Sequence, residues 1–377
     1  MRQHHHVMLL AAVASLAAAA PTATPSPMNG LLVYFQGKCP QGWQALNEAA
    51  GRMVLSVSDS IRAGVTAGTP LQDQEDRVHS HSFSLRLPLP SKHIAAVDGS
   101  DQHGGCNGDF YSSVTQTGNA TSGYPFMQLS LCEYMGTASP APQLPFGAAA
   151  LFSPSTNSCP VNMSAYSTAE GRFLVPGFGV DPVPSVWPPL SQPDLLPHVH
   201  NLTSHLTLES AEFEGVDGCC NNDLAPSGSY IETATSGVAE DDLPYVSLLT
   251  CSSTLFSFDT SLPDGALMWM TAGTCPPGWS PFDFATGRFL VAVPPGAEPG
   301  VAFGGSAMAQ SDANDFAPVH THPFSGSVDV PDCGIELVEG CCSGGYATAG
   351  EVPFSGDSSS ATGTLPYLLL TLCSQNA

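Results

Sequence analysis

A threefold internal repeat constrains this chain more than any other feature. Cys39-Pro40-Gln41-Gly42-Trp43 recurs as Cys159-Pro160-Val161-Asn162-Met163 and as Cys275-Pro276-Pro277-Gly278-Trp279. Thirteen positions beyond each of these cysteines stands the arginine of a Gly-Arg pair: Arg52, Arg172 and Arg288. Each arginine opens an apolar run. A His-X-His triplet follows in every copy (His79/His81, His198/His200, His320/His322), and its first histidine lies 53 positions before Cys132, Cys251 or Cys373. Pro125, Pro244 and Pro366 each stand 7 positions before those cysteines. Such a period identifies one structural unit copied three times. The units are placed at residues 28–135, 146–253 and 263–377, with Pro/Ser/Ala-rich stretches at Gly136–Pro145 and Ser252–Pro263 between them.

Within a unit, short runs bounded by Gly, Pro, Asn and Asp predominate, and helical periodicity is scarce. That pattern predicts a mainly β fold with long loops. Alternate residues of a strand face one side. His79, His81, Phe83, Leu85 and Leu87 therefore share a face, as do His198, His200, Leu202, Leu206 and Leu208. His320, His322, Phe324, Val328 and Val330 repeat the pattern. A face this apolar is expected to be buried, and its histidines with it.

Two histidines on one strand face stand about 6.5–7 Å apart along the chain, close enough to converge on one ion. Three such strands packed around a pseudo-threefold axis would present six imidazoles, a donor set suited to iron, nickel, copper or zinc. We expect one structural transition metal ion, iron or zinc, held by His79, His81, His198, His200, His320 and His322. Ordinary core histidines bonded to carbonyls are the plainer reading. A third reading keeps each pair apart, as three metal sites with open positions serving an enzyme. That one needs a carboxylate in a repeated place, and Asp76, Asp194 and Asp315 precede the histidines by 3, 4 and 5 positions, with no common register.

Export follows from independent signals. Arg2, the apolar run Val7–Ala20 and the small residues Ala18–Ala23 read as a secretory leader, residues 1–23. The run is too short to span a bilayer comfortably, so no membrane insertion is expected. The chain has 12 cysteines, an even number that suits disulfides in an oxidising compartment. Sequons at Asn119, Asn162 and Asn201 mark candidate glycosylation sites. The candidate bridges join Cys39 to Cys132, Cys159 to Cys251 and Cys275 to Cys373. Cys106, Cys219, Cys220, Cys333, Cys341 and Cys342 remain without an assigned connectivity.

The charge balance is strongly acidic, 33 Asp and Glu against 9 Lys and Arg, a formal net charge of −24. Such a surface repels phosphate backbones and anionic lipid and excludes nucleic acid as a natural partner. Neutral sugars and divalent cations fit it better. No Gly-X-Ser-X-Gly, phosphate loop or dinucleotide fingerprint is present, and no cysteine stands at a constant position beside a base.

The order of elements resembles the phage tail collar domain: Cys275-Pro276-Pro277-Gly278-Trp279, then Gly287-Arg288-Phe289-Leu290-Val291, then His320-Thr321-His322, then Pro366-Tyr367-Leu368-Leu369-Leu370. The match is best in the third copy and weaker in the second, where Met163 replaces tryptophan. The resemblance implies a trimeric receptor-binding module whose His-X-His pairs from three chains can cage a transition metal. Here one chain carries three copies, so the trimer would be built within a monomer, as a pseudo-trimer. Arg52, Arg172 and Arg288 are expected to bond backbone carbonyls, and Trp43 and Trp279 to sit in the core. The function expected from all this is binding or adhesion at a cell surface or matrix, with glycan as the ligand class, and not catalysis. A purely structural wall or appendage component is the third alternative.

Overall fold

The computed structural model describes residues 28–58, 61–97, 102–136, 142–178, 182–185, 189–190, 197–210, 215–240, 243–254, 262–312, 316–335, 345–362 and 365–375. The expected leader, residues 1–23, and Cys341 and Cys342 lie outside them, as do the side chains of Cys219 and Cys220. Among these residues the fold is mainly β, and the helical elements are single 3₁₀ turns such as Asn47–Ala49, Ser167–Ala169 and Asp283–Ala285. No helix among them is long and apolar enough to cross a membrane.

Among the described residues the central sheet has 15 strands, five from each copy, and three of each five form its body. The opening strands are Leu31–Phe35, Ala148–Phe152 and Ala266–Met270; the middle strands are Met53–Val57, Arg172–Pro176 and Phe289–Ala292. The closing strands are Pro125–Tyr134, Tyr245–Ser253 and Tyr367–Gln375. Their residues are almost all buried, as expected of near-continuous apolar runs covered on both faces. Each opening strand runs antiparallel to its own closing strand, with Val33 opposite Cys132, Ala150 opposite Cys251 and Met268 opposite Cys373.

The closing strand then runs parallel to the middle strand of a different copy. Phe126 stands opposite Phe289, Tyr245 opposite Met53, and Tyr367 opposite Phe173. Parallel neighbours cannot be joined by a tight turn, and here they come from distant parts of the chain. The first copy leans on the third, the second on the first, and the third on the second, so the circle closes. The opening strands make a second ring, pairing Leu32 with Leu151, Ala149 with Trp269 and Tyr34 with Leu267. One apolar cluster, with Leu32, Leu129, Leu151, Leu248, Trp269 and Leu370 among its members, draws on all three copies.

The Gly-Arg motif has a backbone reason. Gly51, Gly171 and Gly287 have φ of 68°, 65° and 70°, and a Cβ there would approach the carbonyl oxygen of Leu71, Leu190 or Met308 to 2.3, 2.5 or 2.6 Å. Only glycine tolerates both demands. The same three residues donate their N–H to another copy's carbonyl, at Ala292, Ser56 and Pro176, over 2.8, 2.9 and 2.8 Å. Each arginine beside them bonds backbone carbonyls: Arg52 those of Ala67 and Gly68, Arg172 that of Ser185, Arg288 that of Gly305.

Beyond the sheet, three two-stranded ribbons extend. Arg86–Leu89 pairs Gly108–Tyr111, Asn201–Leu208 pairs Gly228–Thr235, and Pro323–Val330 pairs Gly350–Asp357. Burial in Asn201–Leu208 alternates residue by residue. The inward set, including Phe83, Leu87, Leu206, Leu208, Phe324 and Val330, packs as one core.

Disulfides link Cys39 to Cys132, Cys159 to Cys251 and Cys275 to Cys373, each with Cα atoms 5.7 Å apart. A fourth, Cys106–Cys333, ties the first copy to the third. Trp43 and Trp279 are buried beside the bridges, and half-buried Met163 occupies the corresponding register against the second closing strand.

Candidate metal centre

The His-X-His segments lie at the entrance to the ribbons. His79, His198 and His320 end short strands paired, respectively, with Ala120, Ala239 and Ala361, each 41 positions further on. The second histidine of each triplet, His81, His200 or His322, is anchored through its backbone N–H, which donates to Thr117, Ser236 or Ser358 over 2.9 Å. Strand alternation then turns both rings of a pair inward, above the apolar faces of the ribbons.

The six rings meet. The Nε2 atoms of His79, His198 and His320 form a nearly equilateral triangle with sides of 3.0, 3.1 and 3.1 Å. Below them His81 Nε2 lies 3.3 Å from His198 Nε2, and His322 Nε2 lies 3.2 Å from His79 Nε2. The ligand atoms of His79, His81, His198, His200 and His322 all fall within 4.8 Å of one another. His81, His200 and His322 are essentially inaccessible, and His79 and His320 are buried.

The tautomers of the inner ring follow from their partners. His81 Nδ1–H donates to Gly237 O over 2.9 Å, His200 to Ser359 O over 2.8 Å, and His322 to Gly118 O over 2.8 Å. Each acceptor belongs to another copy: first to second, second to third, third to first. With the proton on Nδ1, every inner Nε2 carries a lone pair aimed at the centre. Among the described residues His200 Nε2 is buried and finds no hydrogen-bond donor.

Charge is expelled from this cluster. Burial, followed by the neighbouring imidazoles, lowers the pKa of His79 and His320 from 6.5 to about 3. Burial also lowers those of His81 and His322, against the carbonyl bonds of Gly237 and Gly118, which raise them. These four rings are therefore held neutral, the form that ligates metal.

The donor set fits a cation. For a metal–nitrogen distance of about 2.1 Å, adjacent donors of an octahedron stand about 3.0 Å apart and opposite ones about 4.2 Å. The observed spacings of 3.0–3.3 Å between neighbouring Nε2 atoms meet that requirement. The buried lone pair of His200 has no other use, and the carbonyl acceptors supply the outer hydrogen bonds that ligating histidines need. A single ion could be held by His79, His81, His198, His200 and His322. What such an ion would supply is cross-linking of the three copies that contribute its donors.

Alternation along a strand brought each pair to one face in the sequence, and the structure places all three pairs at one point. The carbonyl acceptors Gly118, Gly237 and Ser359 carry no side-chain signal and were not foreseen. Thr117, Ser236 and Ser358 were missed although each lies 36 positions beyond its histidine. The sequon asparagines Asn119, Asn162 and Asn201 are all exposed. Asn162 has φ of 68° where the other copies have Gly42 and Gly278, and asparagine is among the few residues that adopt that conformation readily.

Compared with family models, curated proteins and solved structures, the chain matches none.

Proposed function

We propose that this chain is an exported recognition protein of three collar-like repeats, a pseudo-trimer in one monomer, stapled by a structural transition metal, iron or zinc. The observation that carries it is the convergence of six imidazoles, two from each copy, with neighbouring Nε2 atoms 3.0–3.3 Å apart. A centre so enclosed and fully ligated stabilises the ring of copies and leaves the work to outer surfaces. The four disulfides among the described residues suit a compartment outside the cytosol. The acidic exterior favours a neutral ligand, and a cell-surface or matrix glycan is the class we assign. The sharing of one centre by the three pairs favours a staple over three separate open sites.

Metal analysis and a glycan array test the two halves. One tightly held ion per chain supports the staple; three ions, or none after purification without chelator, overturns it. Binding to a defined set of glycans supports recognition, and an array without binding overturns that assignment.

A further inference from the structure

Two glycine turns stand at the base of each copy, one entering the opening strand and one following the first bridge cysteine. In the first of them Gly30, Gly147 and Gly265 have φ of 83°, 74° and 76°; in the second Gly42 and Gly278 have 85° and 83°. The residues just before these glycines are Asn29 and Gln41 in the first copy, and Asp264 and Pro277 in the third. In the second copy they are Phe146 and Val161, 47% and 81% exposed. There the second glycine is replaced by Asn162, with φ of 68°, and Asn162-Met163-Ser164 is a sequon. Single apolar residues on a surface need no explanation. Here two of them accompany an acceptor asparagine, at adjoining turns and in one copy alone, and that coincidence asks for a cause.

The two turns flank the end of one closing strand, Tyr245–Ser253, which lies between the strands they lead into. Met163 stands opposite Ser253 on one side, and Gly147 donates its N–H to Ser253 O over 3.2 Å from the other. Thr254 donates its N–H and its hydroxyl to Asn162 O over 3.1 and 2.7 Å. The outer strands of such a trio are about 10 Å apart, twice the spacing of neighbours. The first sugars of an asparagine-linked chain reach that far. Asn162 and Ser164 are both exposed, and asparagine takes the left-handed conformation of this turn with little strain.

We infer that Asn162 carries an N-linked glycan whose first sugars lie over Phe146 and Val161. The inference rests on the export reading above, because the sugar donor is a lipid-diphosphate-linked oligosaccharide of the secretory pathway. In the transfer the Asn162 amide nitrogen bonds to the anomeric carbon of the first sugar, and the bond from that carbon to the diphosphate oxygen breaks. The amide gives up one proton, the lipid diphosphate leaves, and nothing is oxidised or reduced. The C–H face of an N-acetylhexosamine suits an exposed aromatic ring, and its cover removes apolar surface from water. A bulky, solubilising group thus stands where the neighbouring copies keep polar or proline turns.

The test produces the full chain, with its own N-terminal region, in a eukaryotic secretory host. Glycopeptide mass spectrometry of the protein in the medium is expected to find Asn162 modified on most chains. A chain that reaches the medium with Asn162 bare overturns this inference and leaves export standing; a chain retained in the cytosol overturns both. Asn162→Gly installs the residue that the other copies use, so it removes the acceptor and keeps the turn, and its melt should remain cooperative. Fluorescence of an apolar dye is expected to rise severalfold in Asn162→Gly and to return to the parent's level when Phe146→Ser is added. Dye binding unchanged by Asn162→Gly overturns the covering of Phe146 and Val161. Light scattering tests the other occupant: a dimer of the glycosylated chain that Phe146→Ser dissolves places a second chain on these residues and overturns the glycan's role there.

Discussion

His81 of the first copy donates its Nδ1 proton to the carbonyl oxygen of Gly237 in the second, 2.9 Å away. The relation repeats from His200 to Ser359 and from His322 to Gly118. Each inner histidine is thus oriented by backbone from a copy that contributes histidines of its own. A copy that shifts would unseat an acceptor as well as two donors, so the centre and the ring of copies should form and fail together.

Replacing one inner ligand, His200→Ala, is expected to lower metal affinity by more than tenfold and to leave fractional metal content. Losing even an outer partner of a ligand typically costs ten- to a hundredfold. Metal analysis after dialysis against a weak chelator, paired with thermal melts, measures both effects. Full occupancy with an unchanged melting temperature would contradict the six-donor centre.

Ser358 serves two ligands, accepting the backbone N–H of His322 over 2.9 Å and lying 3.1 Å from His200 Nδ1. Ser358→Ala should cost about 1–3 kcal/mol of stability through the stranded N–H. It should also weaken metal binding about tenfold or more with all six histidines retained. Competition titration against a chromogenic chelator reads the second effect independently of the first.

Acid should unmake the metal-free centre in a defined window. A histidine whose pKa is lower in the fold than in the unfolded chain opposes folding only when protons are available to the unfolded form. For His79 and His320 the penalty is absent above about pH 6.5 and grows as pH falls toward about 3. The apo-protein's melting temperature is expected to be flat with respect to these groups near neutrality and to drop below 6.5. A double variant, His79→Gln with His320→Gln, should flatten that drop.

The Cys39–Cys132 bridge closes a span of 93 residues. In the chain-entropy model such a link contributes about 4–5 kcal/mol, an upper figure because the other bridges already restrain the unfolded chain. Cys39→Ser with Cys132→Ser is expected to lower the denaturant midpoint at an unchanged slope. A midpoint within error of the parent would show that the surrounding core holds the two strands unaided.

The legible features were those that depend on local rules. Strand alternation foretold that Leu202, Leu206 and Leu208 share the buried face of His198 and His200, because side-chain direction needs only neighbours along the chain. The backbone demand on Gly51, Gly171 and Gly287 left a trace as the repeated Gly-Arg pair. Pairings between copies were illegible. Nothing in Phe126 specifies Phe289 over Phe173 as its parallel partner, since all three middle strands offer much the same apolar edge. The Cys106–Cys333 bridge was hidden for a related reason. Six loop cysteines allow 15 pairings, and only the meeting of two copies chooses among them.

Fusing the three copies into one polypeptide also changes what mutation can do. In a ring of identical chains, any altered codon appears on every face at once, and must be tolerated on all of them. Here Leu249 stands where its counterparts are Ser130 and Thr371, and Met163 where they are Trp43 and Trp279. Covalent continuity lets a symmetric scaffold specialise one side while the others keep it intact.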